Sequence, residues 1–160
     1  MIDWNKLYDY NNYKFKSFEY FCFCIAKRQF DEKGNFTSID GSGGDGGIEF
    51  YLKLNNGDYW GWQAKFFDNP PRLNRSGRKN QIMNSLISSC KNYPKLKKWF
   101  LCTNSDFTDT EIDWYENEIK SNVRRIKKYK DLPDVEKEHV DNVLDNLELI
   151  HGCVRFGTDA

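Results

Sequence analysis

No stretch of the 160-residue chain approaches the roughly 18 to 20 apolar residues that a membrane-spanning helix needs, which excludes an apolar helical span. The opening residues Met1-Ile2-Asp3-Trp4 lack a basic stretch followed by an apolar one, so no secretory leader is legible. A cytoplasmic protein with no membrane partner is the expectation. Cysteine is sparse: the five residues Cys22, Cys24, Cys90, Cys102 and Cys153 form no CxxC pair and are odd in number. That argues against a disulfide framework and for small core side chains in a reducing compartment. Net charge is also lacking, because 24 Lys and Arg balance 24 Asp and Glu. Affinity for a polyanion must therefore come from local clustering of cations. Histidine is limited to His139 and His151, neither with ligand-like neighbours, which disfavours a zinc centre or a histidine-based nuclease. Repeats and low-complexity tails are absent, and the length suits one domain over residues 1–160.

What is abundant is aromatic, 16% of the chain, concentrated in residues 4–30 and 50–67. Residues 17–30 begin at a plausible Ser17 cap and set Phe18, Phe21, Cys22 and Ile25 at helical spacing. A turn at 31–35 and a short apolar piece, Phe36 to Ile39, lead into the glycine-rich stretch 41–47. From Ile48 to Leu54 the pattern alternates, with Phe50, Leu52 and Leu54 on one side and Glu49, Tyr51 and Lys53 on the other. Asn55-Asn56-Gly57-Asp58 supplies turn chemistry before Tyr59–Phe67, so a β-hairpin is expected, ended by Pro70-Pro71. A second helix over 74–93 carries Ile82, Met83, Leu86, Ile87 and Cys90 on one stripe. Residues 97–103 read as a buried strand. The capping box Thr108-Asp109-Thr110-Glu111 opens a third helix expected to run to about Lys128. The acidic segment 131–149 reads as helical, with Val135, Val140, Val143, Leu144 and Leu147 apolar, and residues 147–156 as a last strand.

The glycine stretch matches the dinucleotide string Gly41-x-Gly43-x-x-Gly46, but a strand follows where that motif needs a helix N-terminus to hold the pyrophosphate. A calcium loop is ruled out by the spacing of Asp40, Ser42, Gly44 and Asp45. The hairpin offers more. Strand residues two apart share a face, so Gln63 and Lys65 project together. If the turn sets a suitable register, Glu49 lies across from them and Asp45 reaches in from the loop before the strand; a one-residue slip would turn Glu49 away. Acidic and amide oxygens beside a lysine suit a hard cation such as Mg²⁺ and the hydrolysis of phosphodiesters. Lys65 would orient the attacking water or offset charge in the transition state.

Gly44-Asp45-Gly46-Gly47-Ile48-Glu49 followed by Trp62-Gln63-Ala64-Lys65 resembles the signature of the PD-(D/E)xK nucleases, in particular the Mrr-like branch of restriction endonucleases. Leu101-Cys102-Thr103 followed by Phe107-Thr108, and Glu19 on the first helix, extend the resemblance over roughly residues 17–120. Glu49 stands where the branch usually has Asp, so whether Asp45 or Glu49 leads as metal ligand is open.

The resemblance implies an α/β fold with a central mixed β-sheet, a β-hairpin at its core and flanking helices. It further implies a Mg²⁺-dependent endonuclease, with Mn²⁺ able to substitute, that cleaves double-stranded DNA in bacterial defence. The implied catalytic set is Asp45, Glu49, Gln63, Lys65 and Glu19, with the metal held by Asp45, Glu49, Gln63 and Ala64. Arg75, Arg78, Lys79 and Gln81 at the start of the second helix are expected to contact backbone phosphates. The run Arg124-Arg125-Ile126-Lys127-Lys128 reads instead as a solvated helix end. Cutting both strands would need two copies, hence a homo-oligomer or an attached oligomerising module. Related domains sit at the N-terminus of bacterial antiviral ATPase sensors, and the abrupt end at Ala160 would suit a piece of something larger. The alternative is a nucleic-acid-binding or assembly module that has lost useful metal binding, motivated by Gln63 in place of a third carboxylate.

Overall fold

Two connections organise the sheet in the computed structural model, which describes residues 14–39, 46–67, 72–75 and 77–151. The first joins strand β2 (Phe50–Leu54) to β3 (Tyr59–Lys65). Its Gly57 takes a φ of +93°, Asn56 Oδ1 accepts from the Asp58 amide at 2.9 Å, and Leu54 N–H donates to Asp58 O at 2.8 Å. A glycine is needed at that left-handed position. The turn fixes an antiparallel register in which Phe50 faces Trp62 and Lys53 faces Tyr59.

The second organising connection is helix α2 (Arg78–Asn92), which carries the chain from β3 to β4 (Leu96–Thr103) so that the two strands run parallel. Parallel neighbours require such a crossover. Before the hairpin come helix α1 (Lys14–Phe30), a single 3-10 turn and strand β1 (Gly34–Ser38), which pairs antiparallel with β2. The short apolar piece of the sequence is thus an edge strand. After β4 follow α3 (Asp109–Asp113), a π-helical turn (Trp114–Glu118), α4 (Ile119–Arg125), α5 (Lys127–Lys130), α6 (Asp134–Leu144) and β5 (Leu147–His151), the last parallel to β4. The result is an α/β architecture: a mixed, open five-stranded sheet in the order β1-β2-β3-β4-β5, flanked by helices.

The sheet feeds two cores. Phe50, Leu52, Trp62, Ala64, Phe100 and Cys102 face α1, whose Phe18, Cys22 and Ala26 recur every fourth residue. Trp99, Leu101 and Leu96 face the other helices, where Ile82, Met83, Leu86, Ile87 and Cys90 of α2 meet Val123, Val140, Val143 and Leu144. The alternation along β2 is therefore the one the sequence displayed.

Several segments depart from expectation. Ser17, read as the cap of the first helix, is buried inside α1, which already runs from Lys14. The helix opened by Thr108 does have its capping box, Thr108 Oγ1 accepting from Glu111 N–H while Glu111 Oε1 accepts from Thr108 N–H. It does not continue to Lys128, because the backbone turns extended at Ile126 (ψ 136°) and restarts as α5. Helical periodicity survives such a break, so the pattern alone hides it. Val135 is 79% exposed; five residues before Val140, it points away from the buried stripe of a 3.6-residue helix. Leu147 belongs to β5. Among the described residues no helix is long and apolar enough to cross a membrane.

Candidate functional site

The position of Glu49 is set from outside its own strand. Gly47 has a φ of +88°, and a Cβ there would lie 2.2 Å from both Ser85 O and Ser89 Oγ of α2. Trp99 Nε1 of β4 donates to Gly47 O at 3.3 Å and to Ser89 Oγ at 3.0 Å, and Ser89 Oγ donates to Ser85 O at 2.7 Å. Only glycine fits between helix and sheet, and this buried polar clamp holds the backbone two residues before Glu49. Glu49 N–H then donates to Trp62 O at 2.8 Å, the residue that faces Phe50, so Glu49 is tied to β3 just ahead of the regular β2–β3 pairing.

That attachment brings Glu49 against Gln63. Gln63 Nε2 donates to Glu49 Oε1 at 2.9 Å and to the Ala64 carbonyl at 3.2 Å, and Glu49 Oε2 accepts from Ala64 N–H at 3.4 Å. Gln63 is 2% exposed, and its Oε1 is buried with no hydrogen-bond partner. An unsatisfied acceptor of this kind costs about 1–3 kcal/mol, so the arrangement is tense even though the amide nitrogen is doubly engaged.

Glu49, Gln63, Ala64 and Lys65 line one open cleft of about 310 Å³ together with Glu19, Lys16 and Phe15 of α1 and with Ile39, Gly46 and Ile48. Residues far apart in sequence, on α1, on β3 and just before β2, thus converge. Glu19 pairs with Lys16 at 3.5 Å. Burial raises its carboxyl above the ordinary value of 4.5, opposed by Lys16 and by the nearby ammonium of Lys65. Asp45, the remaining member of the expected set, lies outside the described residues.

The expected phosphate-contacting group at the start of α2 divides. Arg75 and Gln81 are exposed. Arg78 is not a surface cation: it is 9% exposed, donates from Nη1 to Arg72 O at 2.8 Å and lies 4.5 Å from the centroid of the Phe67 ring. Its stem and guanidinium tie the segment after β3 to the helix, a packing role for a long cation. Lys79 sits 5.1 Å from the Trp114 ring centroid and lines a second cleft, of about 340 Å³, with Arg72, Asn74, Thr108, Glu111 and Glu118. None of these four residues lines the cleft that holds Gln63.

Sequence reasoning missed Asn104. Its side chain brackets Phe67, accepting from Phe67 N–H at 2.7 Å and donating to Phe67 O at 2.9 Å. It thereby fixes the segment that leaves β3 two residues after Lys65. In sequence Thr103-Asn104-Ser105 reads only as a turn, so no signal pointed to it. The Cys22–Cys102 thiol contact between α1 and β4 was equally invisible. Hydrogen bonding to Cys102, followed by burial, holds the Cys22 thiol well above its ordinary range, which makes it inert packing at neutral pH.

Comparison with known proteins leaves the reading to the geometry: no family model, no curated protein and no solved structure matches the chain.

Proposed function

We propose that this chain is a metal-dependent endonuclease acting on double-stranded DNA, with a restriction-endonuclease-like fold. The observation that carries the reading is the convergence of Glu49, Gln63, Ala64, Lys65 and Glu19 on one cleft. Three further features support it: the order of a helix, three antiparallel strands, a crossover helix and a parallel strand, the Gln63-Ala64-Lys65 strand end, and the glycine-rich approach to Glu49.

The donor set fits a hard divalent cation. Glu49 offers carboxylate oxygens, Ala64 its carbonyl, and Gln63 an amide oxygen, without a hydrogen-bond partner, that would join them once the amide turns, all of the oxygen type that Mg²⁺ or Mn²⁺ prefers. Asp45 would complete the set. Bound there, such a cation would polarise a phosphate oxygen and acidify a coordinated water. Lys65, on the same strand face as Gln63, orients the attacking water and offsets the charge that builds on the phosphate. Glu19 positions the Lys65 ammonium electrostatically from across the cleft. The exposed Arg75 and Gln81, with Lys79, contact backbone phosphates, and Arg78 supports them from beneath. One such cleft cuts one strand, so double-strand cleavage calls for two copies or an attached oligomerising module. A role in bacterial defence rests on the family resemblance alone.

A second reading, a nucleic-acid-binding or assembly module, has one observation in its favour: among the described residues no three His, Cys, Asp or Glu side chains form a group able to hold a metal. Supercoiled plasmid incubated with the protein and Mg²⁺ or Mn²⁺, at several protein concentrations and beside Lys65→Ala, separates the two. The nuclease reading expects nicking or linearisation that steepens with concentration and is lost in the variant. DNA retention without cleavage, unchanged by Lys65→Ala, would establish the binding module instead.

A further inference from the structure

We propose that the Gln63 side-chain amide is a reversible stopper in the cleft. At rest its NH₂ group occupies the place of a cation, and cation uptake turns the amide over so that its oxygen joins the ligands. The inference rests on the cation reading of this cleft and concerns what governs its occupancy.

Nε2 lies 2.9 Å from Glu49 Oε1 and 3.2 Å from Ala64 O, so a partially positive group already stands between two of the oxygens that would face a cation. The opposite rotamer would set Oε1 against those same two acceptors, an arrangement with three oxygens and no proton between them. It is untenable unless a positive charge enters. The orientation of the amide is therefore determined by whether a cation is present, and the two states exchange by rotation about the last side-chain torsion, a broad and soft one.

The resting state is imperfect. Gln63 Oε1 is buried and unpartnered, in a residue only 2% exposed, so the stopper is held by the Glu49 and Ala64 acceptors and not by its oxygen. Reversal moves the unpartnered position from oxygen to nitrogen, which keeps the exchange from being free and holds resting affinity low. The other charged groups lining the cleft are Glu19, Lys16 and Lys65. The two ammonium groups oppose cation entry as well, whereas Glu49 and Glu19 attract it. A carboxylate in place of Gln63 would supply the oxygen with no NH₂ to displace.

The test is a ¹H–¹⁵N spectrum of the full chain titrated with Mg²⁺ in the absence of DNA, the Gln63 NH₂ pair being assigned by its absence in Gln63→Met. The expected result is a saturable shift of that pair as its hydrogen bonds to Glu49 and Ala64 are lost, abolished in Glu49→Gln. In calorimetry Gln63→Glu should bind Mg²⁺ tighter by on the order of tenfold or more, since ligand charge sets affinity at such sites. A Gln63 pair that stays still at Mg²⁺ saturation overturns the stopper, and so does a folded Gln63→Glu that binds no tighter than the parent. Should Gln63→Glu fail to fold, the spectrum of the unaltered chain decides alone. Amide reversal without plasmid cleavage would sink the nuclease reading and leave the stopper standing; cleavage with a motionless amide would do the opposite.

Discussion

On one face of the sheet a single helix among the described residues, α1, lies over rings: Phe50 and Trp62 stack at 5.2 Å and Trp62 and Phe100 at 4.3 Å, with Phe30 and Phe36 set at angles around them. On the other face α2, α4 and α6 pack with mostly aliphatic side chains, Ile82, Leu86, Ile87, Val123, Val140, Val143 and Leu144. The difference follows from how much helix is on offer. The described part of α1, contributing Phe18, Cys22 and Ala26, does not by itself cover the strands, and large strand side chains bury one another, each ring removing roughly 150–250 Å². Where several helices arrive, branched aliphatics fill the layer between them. The candidate site depends on both faces. Trp62 and Ala64 anchor β3 from the aromatic side, which leaves Gln63 and Lys65 directed the other way, while the Gly47 clamp on α2 fixes Glu49 from the aliphatic side.

The comparison is tested most severely by truncation. Trp62→Ala should cost about 4 kcal/mol and Leu86→Ala about 3 kcal/mol in urea unfolding, both large but the ring larger because it stacks on two others. A costlier Leu86→Ala would mean that the aliphatic face carries the greater share of stability. Gly47→Ala joins a positive φ to a clash with α2 and should lose about 2 kcal/mol or more. Because it displaces Glu49 as well, Mg²⁺ binding measured by calorimetry should weaken alongside stability. If stability falls while Mg²⁺ binding holds, the clamp serves packing only.

Thr108→Ala removes one arm of the capping box under the aliphatic layer and should lower stability by about 1 kcal/mol, read from the urea midpoint. The smallest effect belongs to Glu19 on the aromatic-side helix. Its carboxyl is raised above 4.5 chiefly by burial, so the folded chain retains a proton in a window where the unfolded chain has released it. That contribution is fully present below 4.5, the ordinary value, and is lost as pH climbs through the raised one. Melting temperatures of Glu19→Gln and the parent, compared from about pH 4 to about pH 8, should coincide at the acid end, with the variant higher at the alkaline end. A parent that is the more stable at alkaline pH would show that the Lys16 and Lys65 attractions outweigh burial.

Wherever the governing interactions are local, the sequence was readable. The hairpin around Asn56-Gly57-Asp58, the apolar stripe of α2 and the capping box at Thr108 each form as read, since each draws on neighbours within a few residues. The meeting of Glu49 with Gln63 was legible only as one of two registers, because a slip of one residue reverses every side chain of a strand. The bend at Ile126, the burial of Arg78 against Phe67 and the Asn104 bracket were not legible. Arg78 looks like any solvated helix-start cation until the ring beneath it is known.

By itself, then, the sequence determined the alternation that gives each strand two faces, the turns that reverse the chain, and the residue types able to hold a hard cation. Those are consequences of backbone period and side-chain chemistry, which need no partner to act. Only the tertiary structure decided that Glu19, Glu49, Gln63 and Lys65 share one cleft, that the amide nitrogen of Gln63 rests between two acceptors, and that Arg78 is packing. Such outcomes depend on which distant surfaces meet when α1 and α2 close on the sheet, where burial forces every polar atom either to find a partner or to remain, like Gln63 Oε1, without one.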